Sequence, residues 1–266
     1  MSNLPCELLD HIVDLLQESQ APLKNCCLVS KSWVARTRRQ LFAEVDFETA
    51  ESLESWKKTF PDPSTSPSRY VKTLVIRRPQ VVTAVDAEAG CWVGGFPRLV
   101  RLVVFGRGPQ RFARGWGDTF TLFRGISPVI KSLRVDFVLF PFSQLFDLIL
   151  SFPLLEDLSV TNCLHFPVES DKGSDGLSTP AQPSSFPVFS GSLELDMKAG
   201  MEHIGRRLLS LSGGMRFRKF ILRWTREEDI PLTAALVERC SRTLKSLDIT
   251  HNSSGGTSVT SAFAPK

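Results

Sequence analysis

One short apolar pattern recurs along most of the chain and restricts the folds that the chain can adopt. Segments such as FPRLVRLVVFG (96–106) and FPLLEDLSVTNC (152–163) place apolar residues three and then two positions apart. Seven such segments align on a central apolar residue: Leu74, Leu102, Leu133, Leu158, Leu193, Phe220 and Leu247. The steps between these residues are 28, 31, 25, 35, 27 and 27. Repetition at this length predicts stacked units, because a single unit cannot bury its apolar face alone.

The spacing within each segment is typical of a leucine-rich repeat, L-x-x-L-x-L-x-x-N/C-x-L. Two units fill its first nine positions, with Leu155, Leu158, Val160 and Cys163, and with Leu244, Leu247, Ile249 and Asn252. Helical apolar stripes in 142–152, 201–211 and 232–240 separate some of the strands. The predicted fold class is therefore α/β, a curved leucine-rich-repeat solenoid with a parallel sheet and about seven irregular units over 70–252. The alternative is an ordinary α/β domain with unrelated amphipathic strands.

Two segments depart from the repeat pattern. Residues 166–189 are rich in Ser, Pro, Gly and Asp, which predicts a mobile insertion. Residues 253–266 (SSGGTSVTSAFAPK) predict a flexible tail that offers no helix to cover the last unit.

The first 47 residues have a different organisation from the repeats. Leu8, Ile12 and Leu15 recur at helical spacing, and Pro5 suits the start of that helix. Pro22 is expected to open a short second helix, and Ser30 to cap a third helix that carries Trp33, Thr37 and Leu41 at successive turns. The sequence therefore predicts a three-helix module over 1–47, joined to the repeats by a linker or helix over 48–69.

Composition excludes several classes of protein. The net charge is +4, from 32 basic and 28 acidic residues, which is too small to indicate nucleic-acid binding by itself. No uncharged apolar run of about 18 residues occurs, and the N-terminus lacks the basic leader of a secretory signal. Six scattered cysteines without C-x-x-C pairs favour a reducing compartment. We expect an intracellular protein, cytoplasmic or nuclear, with no membrane partner.

Candidate chemical motifs are weak. The sequence has four histidines and none of the motifs H-E-x-x-H, G-x-S-x-G or G-x-x-x-x-G-K-[ST], so no catalytic residue, cofactor or metal is predicted. Cys163 occupies the Cys/Asn position of its repeat, which favours a buried structural role over a pair with His165. The adjacent Cys26 and Cys27 do not suit one metal or an unstrained disulfide, so at least one is expected to pack as an apolar group.

A basic cluster on the third helix raises a further possibility, nucleic-acid binding. Its members are Lys31, Arg36, Arg38 and Arg39. They border an apolar stripe that includes Trp33 and Leu41, and this favours a solvated rim over a recognition helix. The sequence therefore disfavours nucleic acid as a partner.

The N-terminal residues resemble the F-box, whose pattern runs L-P-x-E-L-L-x-x-I, then L-V-S-K-x-W, then R-x-x-L-F. The corresponding segments here begin at Leu4, Leu28 and Arg38, and the match spans about 40 residues. The resemblance implies docking onto the adaptor subunit of Skp–cullin–F-box ubiquitin ligases. The residues that it assigns to adaptor binding are Leu4, Pro5, Leu8, Ile12, Leu28, Val29, Lys31 and Trp33.

A second surface follows from strand geometry. Apolar template positions are expected to point into the solenoid, so that their period-two neighbours line the concave sheet. These candidate substrate-binding residues are Arg77, Arg101, Phe105, Arg134, Asp136, Asp157, Glu194, Asp196, Lys219, Arg223 and Asp248. We expect separated charge on this face, with its basic end towards the F-box.

The resemblance to the F-box, followed by repeats, implies a non-catalytic substrate receptor of a Skp–cullin–F-box ubiquitin ligase, with an unknown protein substrate held by the repeats. The alternative is an interaction scaffold without a role in degradation, with a weak nucleic-acid contact through the basic loops.

Overall fold

The computed structural model describes residues 5–16, 19–62, 66–77, 96–106, 129–140, 142–165, 187, 189–196, 202–211, 215–225, 227–251 and 260–263. Within them the chain is an α/β protein with an open sheet. Eight parallel strands are joined at one end by a ninth, antiparallel strand.

Three helices begin the chain, at the places that the sequence predicts. They are α1 (Cys6–Leu15), α2 (Gln20–Val29) and α3 (Lys31–Leu41). Pro22 lies in the first turn of α2, where its missing N–H costs nothing. The Ser30 hydroxyl accepts a hydrogen bond from the Ser32 backbone N–H and so caps α3, as predicted.

A strand and a fourth helix follow. Strand β1 spans Glu44–Phe47, and α4 (Ala50–Thr59) begins with a reciprocal capping box between Thr49 and Ser52. A short 3-10 helix, Pro67–Tyr70, then leads into the second strand.

The remaining described elements are ten strands, three α-helices and a second 3-10 helix, Glu227–Asp229. The strands are β2 (Thr73–Arg77), β3 (Arg101–Phe105), β4 (Ser132–Asp136), β5 (Leu139–Phe140), β6 (Asp157–Thr161), β7 (Leu164–His165), β8 (Ser192–Asp196), β9 (Lys219–Thr225), β10 (Ser246–His251) and β11 (Thr260–Phe263). The helices are α5 (Phe142–Leu150), α6 (Glu202–Leu209) and α7 (Ile230–Cys240), each inside a predicted apolar stripe or overlapping it. Strands β5 and β7 form a separate two-stranded sheet.

The predicted register is confirmed at every step. Leu74 pairs with Leu102, Leu102 with Leu133, and so on through Leu158, Leu193, Phe220 and Leu247. The main sheet runs in the order β1-β2-β3-β4-β6-β8-β9-β10-β11, so its strands pair in chain order, with β5 and β7 left out.

One core joins the sheet to its helices. The aligned residues from Leu74 to Phe220 are at most 1% exposed, and they cluster with Leu145 and Ile149 of α5, Ile204 and Leu208 of α6, and Leu236 of α7. Leu247 of β10 packs against this cluster while only partly buried. The repeat positions therefore point inwards as the pattern predicts.

The turns that enter and leave the strands also repeat. Leu99 donates its backbone N–H to Phe96, and Leu155 donates to Phe152 in the same way. After the strands, Gly106 donates to Asp136 and Phe137 donates to Thr161.

The structure differs from the sequence-based description at three places. Glu44–Phe47, expected in the helical module, is a strand of the main sheet, in which Val45 pairs with Leu74. Thr260–Phe263, expected in a flexible tail, pairs with β10. Phe189, at the end of the expected mobile insertion, is fully buried and stacks at 5.2 Å on Phe217. The rest of that insertion, apart from residue 187, lies outside the described residues.

Candidate functional site

The three N-terminal helices are held together by a small core and an ion-pair cluster. Val13, Leu23, Cys26 and Thr37 are buried between the helices. The burial of Cys26 confirms that one of the paired cysteines packs as an apolar group.

Arg36 links α3 to α1. Its guanidinium forms ion pairs with Asp10, at 2.9 Å, and with Asp14, and the Gln40 amide also donates to Asp14 at 2.9 Å. The hydrogen bond from Arg36 lowers the pKa of the Asp14 carboxyl below its ordinary value. The sequence places Arg36 in a solvated rim. Its side chain is 31% exposed, and the packing of α1 on α3 brings two partly exposed carboxylates to it, a contact that the sequence did not predict.

The residues predicted to bind an adaptor are mostly accessible. Leu8 is 51% exposed, Leu28 is 86% and Val29 is 71%. Pro5 and Lys31 are also exposed, whereas Ile12 and Trp33 are half-buried. Leu4 lies outside the described residues.

Sequence reasoning missed one residue of this surface. Leu15 is 70% exposed, although it shares the apolar stripe of α1. We call Pro5, Leu8, Leu15, Leu28 and Val29 the helix patch. Leu8 and Leu15 lie two turns apart on α1, and Leu28 and Val29 end α2; exposed apolar side chains that lie together are typical of a protein contact surface.

The second surface is the face of the main sheet that points away from the core, which we call the strand face. Register places its side chains in three rows across the strands. The middle row runs from Asp46 of β1 through Val75, Val103, Arg134, Ser159, Glu194 and Ile221 to Asp248 of β10. The row at the start of the strands contains Arg101, Asp157 and Lys219. Arg77, Phe105, Asp136, Asp196 and Arg223 lie in the row after it.

Ion pairs connect neighbouring strands on this face. Arg77 Nε donates to Asp46 at 2.7 Å, and Arg223 Nε donates to Glu194 at 3.0 Å. The hydrogen bond to Asp46 raises the pKa of Arg77 further above its ordinary value. Because β1 contributes Glu44 and Asp46, the end of the face nearest the helices is not uniformly basic, contrary to expectation.

Phe105 lies between two cations. The guanidinium carbons of Arg77 and Arg134 are each 5.7 Å from its ring centroid, a distance typical of cation–π contacts. Phe105 is half-buried, and this cluster offers a partner both an aromatic surface and hydrogen-bond donors.

Two predicted contact residues are buried instead. Asp136 is 3% exposed and Asp196 is 2% exposed. Asn162 bridges them, because its side-chain amide donates to Asp136 at 3.0 Å and its backbone N–H donates to Asp196 at 3.3 Å. Period-two alternation identifies the face of a strand but not its burial, so the assignment of these two carboxylates to direct substrate contact is wrong.

Several polar atoms of the strand face lack a hydrogen bond among the described residues. They are Arg134 Nε, Thr161 Oγ1 and Asp248 Oδ1, and all three are buried. A buried polar atom without a partner costs about 1–3 kcal/mol.

Cys163 has the structural role that its repeat position predicts. It is 1% exposed, and its thiol donates to the Thr161 carbonyl at 3.1 Å and to the Val135 carbonyl at 3.6 Å. Burial raises the pKa of this thiol to about 12, so it is a poor nucleophile or ligand. The side chain of His165 lies outside what the structure describes.

Within the described ranges, no group of three or more His, Cys, Asp or Glu side chains is arranged to hold a metal ion. No described helix is both long and apolar enough to cross a membrane. The glycine- and arginine-containing segment 107–117 lies outside the described residues.

Neither a search against protein-family models nor a search of curated proteins finds a match to this sequence. The residues and contacts of the chain itself therefore carry the functional argument.

Proposed function

We propose that this chain is a substrate-recognition subunit of a Skp–cullin–F-box ubiquitin ligase. The observation that carries this proposal is the exposure of Leu28 and Val29 at the end of α2, together with Leu8 on α1. These residues stand where the F-box resemblance assigns adaptor contacts, and exposed apolar side chains of this size are costly unless a partner covers them.

The architecture supports the binding of a substrate by the repeats. Parallel strands that pair in chain order, with the aligned leucines in register, fit a leucine-rich-repeat solenoid that is curved around the strand face. The strand face then holds a protein substrate. The chain contributes proximity while other subunits supply the chemistry, since holding a substrate lysine near activated ubiquitin raises its effective concentration. Such a receptor is intracellular and needs no cofactor.

Adaptor docking is tested by co-purification of the chain with the adaptor. We expect the double variant Leu28→Asp, Val29→Asp to lose binding by about 100-fold or more, since each buried apolar side chain contributes about 1.5–3 kcal/mol. Both residues are exposed, so the fold should persist. Leu154→Asp, at a residue 50% exposed in the turn before β6, is the matched control. Equal binding by the double variant and the control would reject the docking assignment.

Substrate binding is tested with partners captured from cells by the unmodified chain. Arg101 is exposed on the strand face, whereas Arg98 is exposed in the preceding turn, so Arg101→Glu and Arg98→Glu form a matched pair. We expect only the first to weaken capture. Ubiquitin transfer to a captured protein by the assembled ligase supports the receptor, whereas docking and capture without transfer favour the scaffold alternative.

A further inference from the structure

A run of the chain without carboxylates crosses the last units of the sheet. Residues 203–226 contain seven Lys and Arg residues and no Asp or Glu. Arg206 and Arg207 lie in the last turn of α6. Arg216 and Arg218 lie in the turn that precedes β9, and Lys219 begins that strand.

The next unit adds cations at the same edge. Arg239 lies in the last turn of α7, and Arg242 and Lys245 lie in the turn that precedes β10. All eight residues therefore lie where helices end and parallel strands begin. We call this set the basic edge: Arg206, Arg207, Arg216, Arg218, Lys219, Arg239, Arg242 and Lys245.

Hydrogen bonds hold the two turns of the basic edge side by side. The backbone N–H of Lys245 donates to the Arg218 carbonyl at 2.7 Å, and the Thr243 hydroxyl donates to the Phe217 carbonyl at 3.1 Å. Adjacent strands lie about 5 Å apart, so the cations of the two turns are close neighbours.

These cations are exposed, and no described carboxylate neutralises them. Each of the eight residues is exposed, and within the described chain none of them forms an ion pair. Arg207 instead lies over the ring of Phe146, at 5.2 Å. Elsewhere on this edge of the sheet, Lys131 is paired with Glu156 at 2.8 Å. Concentrated charge of one sign repels itself and attracts an anionic partner.

The extent of the basic edge limits what the partner can be. Towards the middle of the sheet, the neighbour of the basic edge is Gly191, which precedes β8 and whose carbonyl accepts a hydrogen bond from the Arg218 backbone N–H. The next strand of the sheet is β6, and Glu156 and Asp157 lie at its start. A nucleic-acid duplex carries charge over a longer path and would run onto those carboxylates. A short anionic chain fits two adjacent units.

Among the side chains that the structure describes, two other polyanions lack the contacts that they need. Single-stranded nucleic acid binds by stacking on accessible aromatic rings, but Phe217 and Phe220 are fully buried and Phe146 is only 5% exposed. A membrane surface favours apolar anchors beside the cations, yet exposed Ile230 begins α7, at the helix end away from Arg239. We propose that the basic edge binds an acidic segment of a protein partner. This site is separate from the helix patch and does not depend on adaptor docking.

The test uses the full chain and a fluorescent peptide of about eight glutamates, with binding followed by anisotropy at low salt. The variant Arg216→Gln, Arg218→Gln, Arg242→Gln, Lys245→Gln removes half of the basic edge. The control Lys24→Gln, Lys58→Gln, Lys72→Gln, Arg98→Gln removes equal charge from exposed residues elsewhere. We expect about a tenfold or greater loss of peptide affinity in the first and less than about twofold in the control.

The same proteins are titrated with oligothymidylate and a DNA duplex, each of about 20 nucleotides per strand, and with phosphatidylserine vesicles. Weaker binding of all three than of the peptide supports the proposal. Tighter binding of any of them by the unmodified chain overturns the assignment to a protein segment. No peptide binding, or equal losses in variant and control, overturns the site itself. Adaptor co-purification of the variant should be unchanged, which separates this outcome from failure of the proposed function.

Discussion

Among the glycines that the structure describes, Gly106 has the least space for a side chain. A Cβ atom at Gly106 would lie 1.9 Å from the Phe137 carbonyl oxygen and 2.7 Å from its carbonyl carbon, both backbone atoms that cannot rotate away. Phe137 already has a φ of 55°, so its turn has little freedom to adjust. Gly106→Ala must therefore displace the turn after β4 or break the hydrogen bond from Gly106 to Asp136, which is 2.8 Å long.

The cost follows from these two effects. Overpacking against fixed atoms costs about 1–3 kcal/mol, and a lost backbone hydrogen bond adds about 1 kcal/mol. We expect Gly106→Ala to lower the free energy of unfolding by about 2–4 kcal/mol, which lowers Tm by roughly 5–12 °C in a chain of this length. Urea denaturation and thermal melting followed by circular dichroism measure both quantities.

A second glycine provides the matched control. Gly205 lies inside α6, and the three atoms nearest to a Cβ there all belong to the Leu232 side chain, at 3.0–3.4 Å. A flexible side chain yields easily, and alanine favours a helix over glycine by about 1 kcal/mol. Gly205→Ala should therefore be neutral or stabilising by up to about 1 kcal/mol. Equal effects of the two substitutions would refute the reasoning from backbone contact.

Three further predictions concern charged and buried groups. Asp136 is buried beside Arg134, at 3.0 Å, so a double-mutant cycle with Arg134→Met and Asp136→Asn should give a coupling of about 1–3 kcal/mol; a value below about 0.5 kcal/mol would contradict the pair. The folded-state pKa of Asp14 is lowered from 3.8, so its stabilising contribution is present above that value and is lost as the pH falls through the folded pKa. Arg36→Met should remove this acid-dependent part, measured by urea unfolding at about pH 6 and about pH 3. Cys163 should resist alkylation at about pH 8 until the chain unfolds, because its pKa is about 12, and mass spectrometry that finds it labelled in the folded protein would disprove its burial.

The register of the strands was predictable because every unit has an apolar residue at the same position. A strand that buries one face cannot slip by one residue without exposing its leucine, so alignment of Leu74 with Leu102 and Leu133 fixes the pairing. The strand β1 was overlooked although EVDF alternates polar and apolar residues. The step from Val45 to Leu74 is 29 residues, within the range of the later units, and could have identified it.

Other features depend on contacts that a single sequence does not reveal. The polar composition of 253–266 gives no indication that Thr260–Phe263 would find an unpaired edge at β10. Asp136 and Asp196 are buried and share a hydrogen-bonding partner, Asn162, which reaches both from the turn after β6. Likewise, the pairing of Arg36 with Asp10 follows from helix packing, not from any local motif.

The short connection between α3 and β1 fixes the N-terminal helices relative to the sheet. Only Phe42 and Ala43 separate the two elements; the Ala43 carbonyl accepts from the backbone N–H groups of Lys72 and Thr73, and the Phe42 ring meets Trp56 at 6.0 Å. The helices are thus attached to the sheet by hydrogen bonds and ring contacts and not by a flexible linker. Under the proposed function, a tether would let many lysines of a bound substrate sample the ubiquitin donor, whereas a stiff joint presents only those at one fixed separation. Which lysine is modified would then be decided by the pose of the substrate on the strand face.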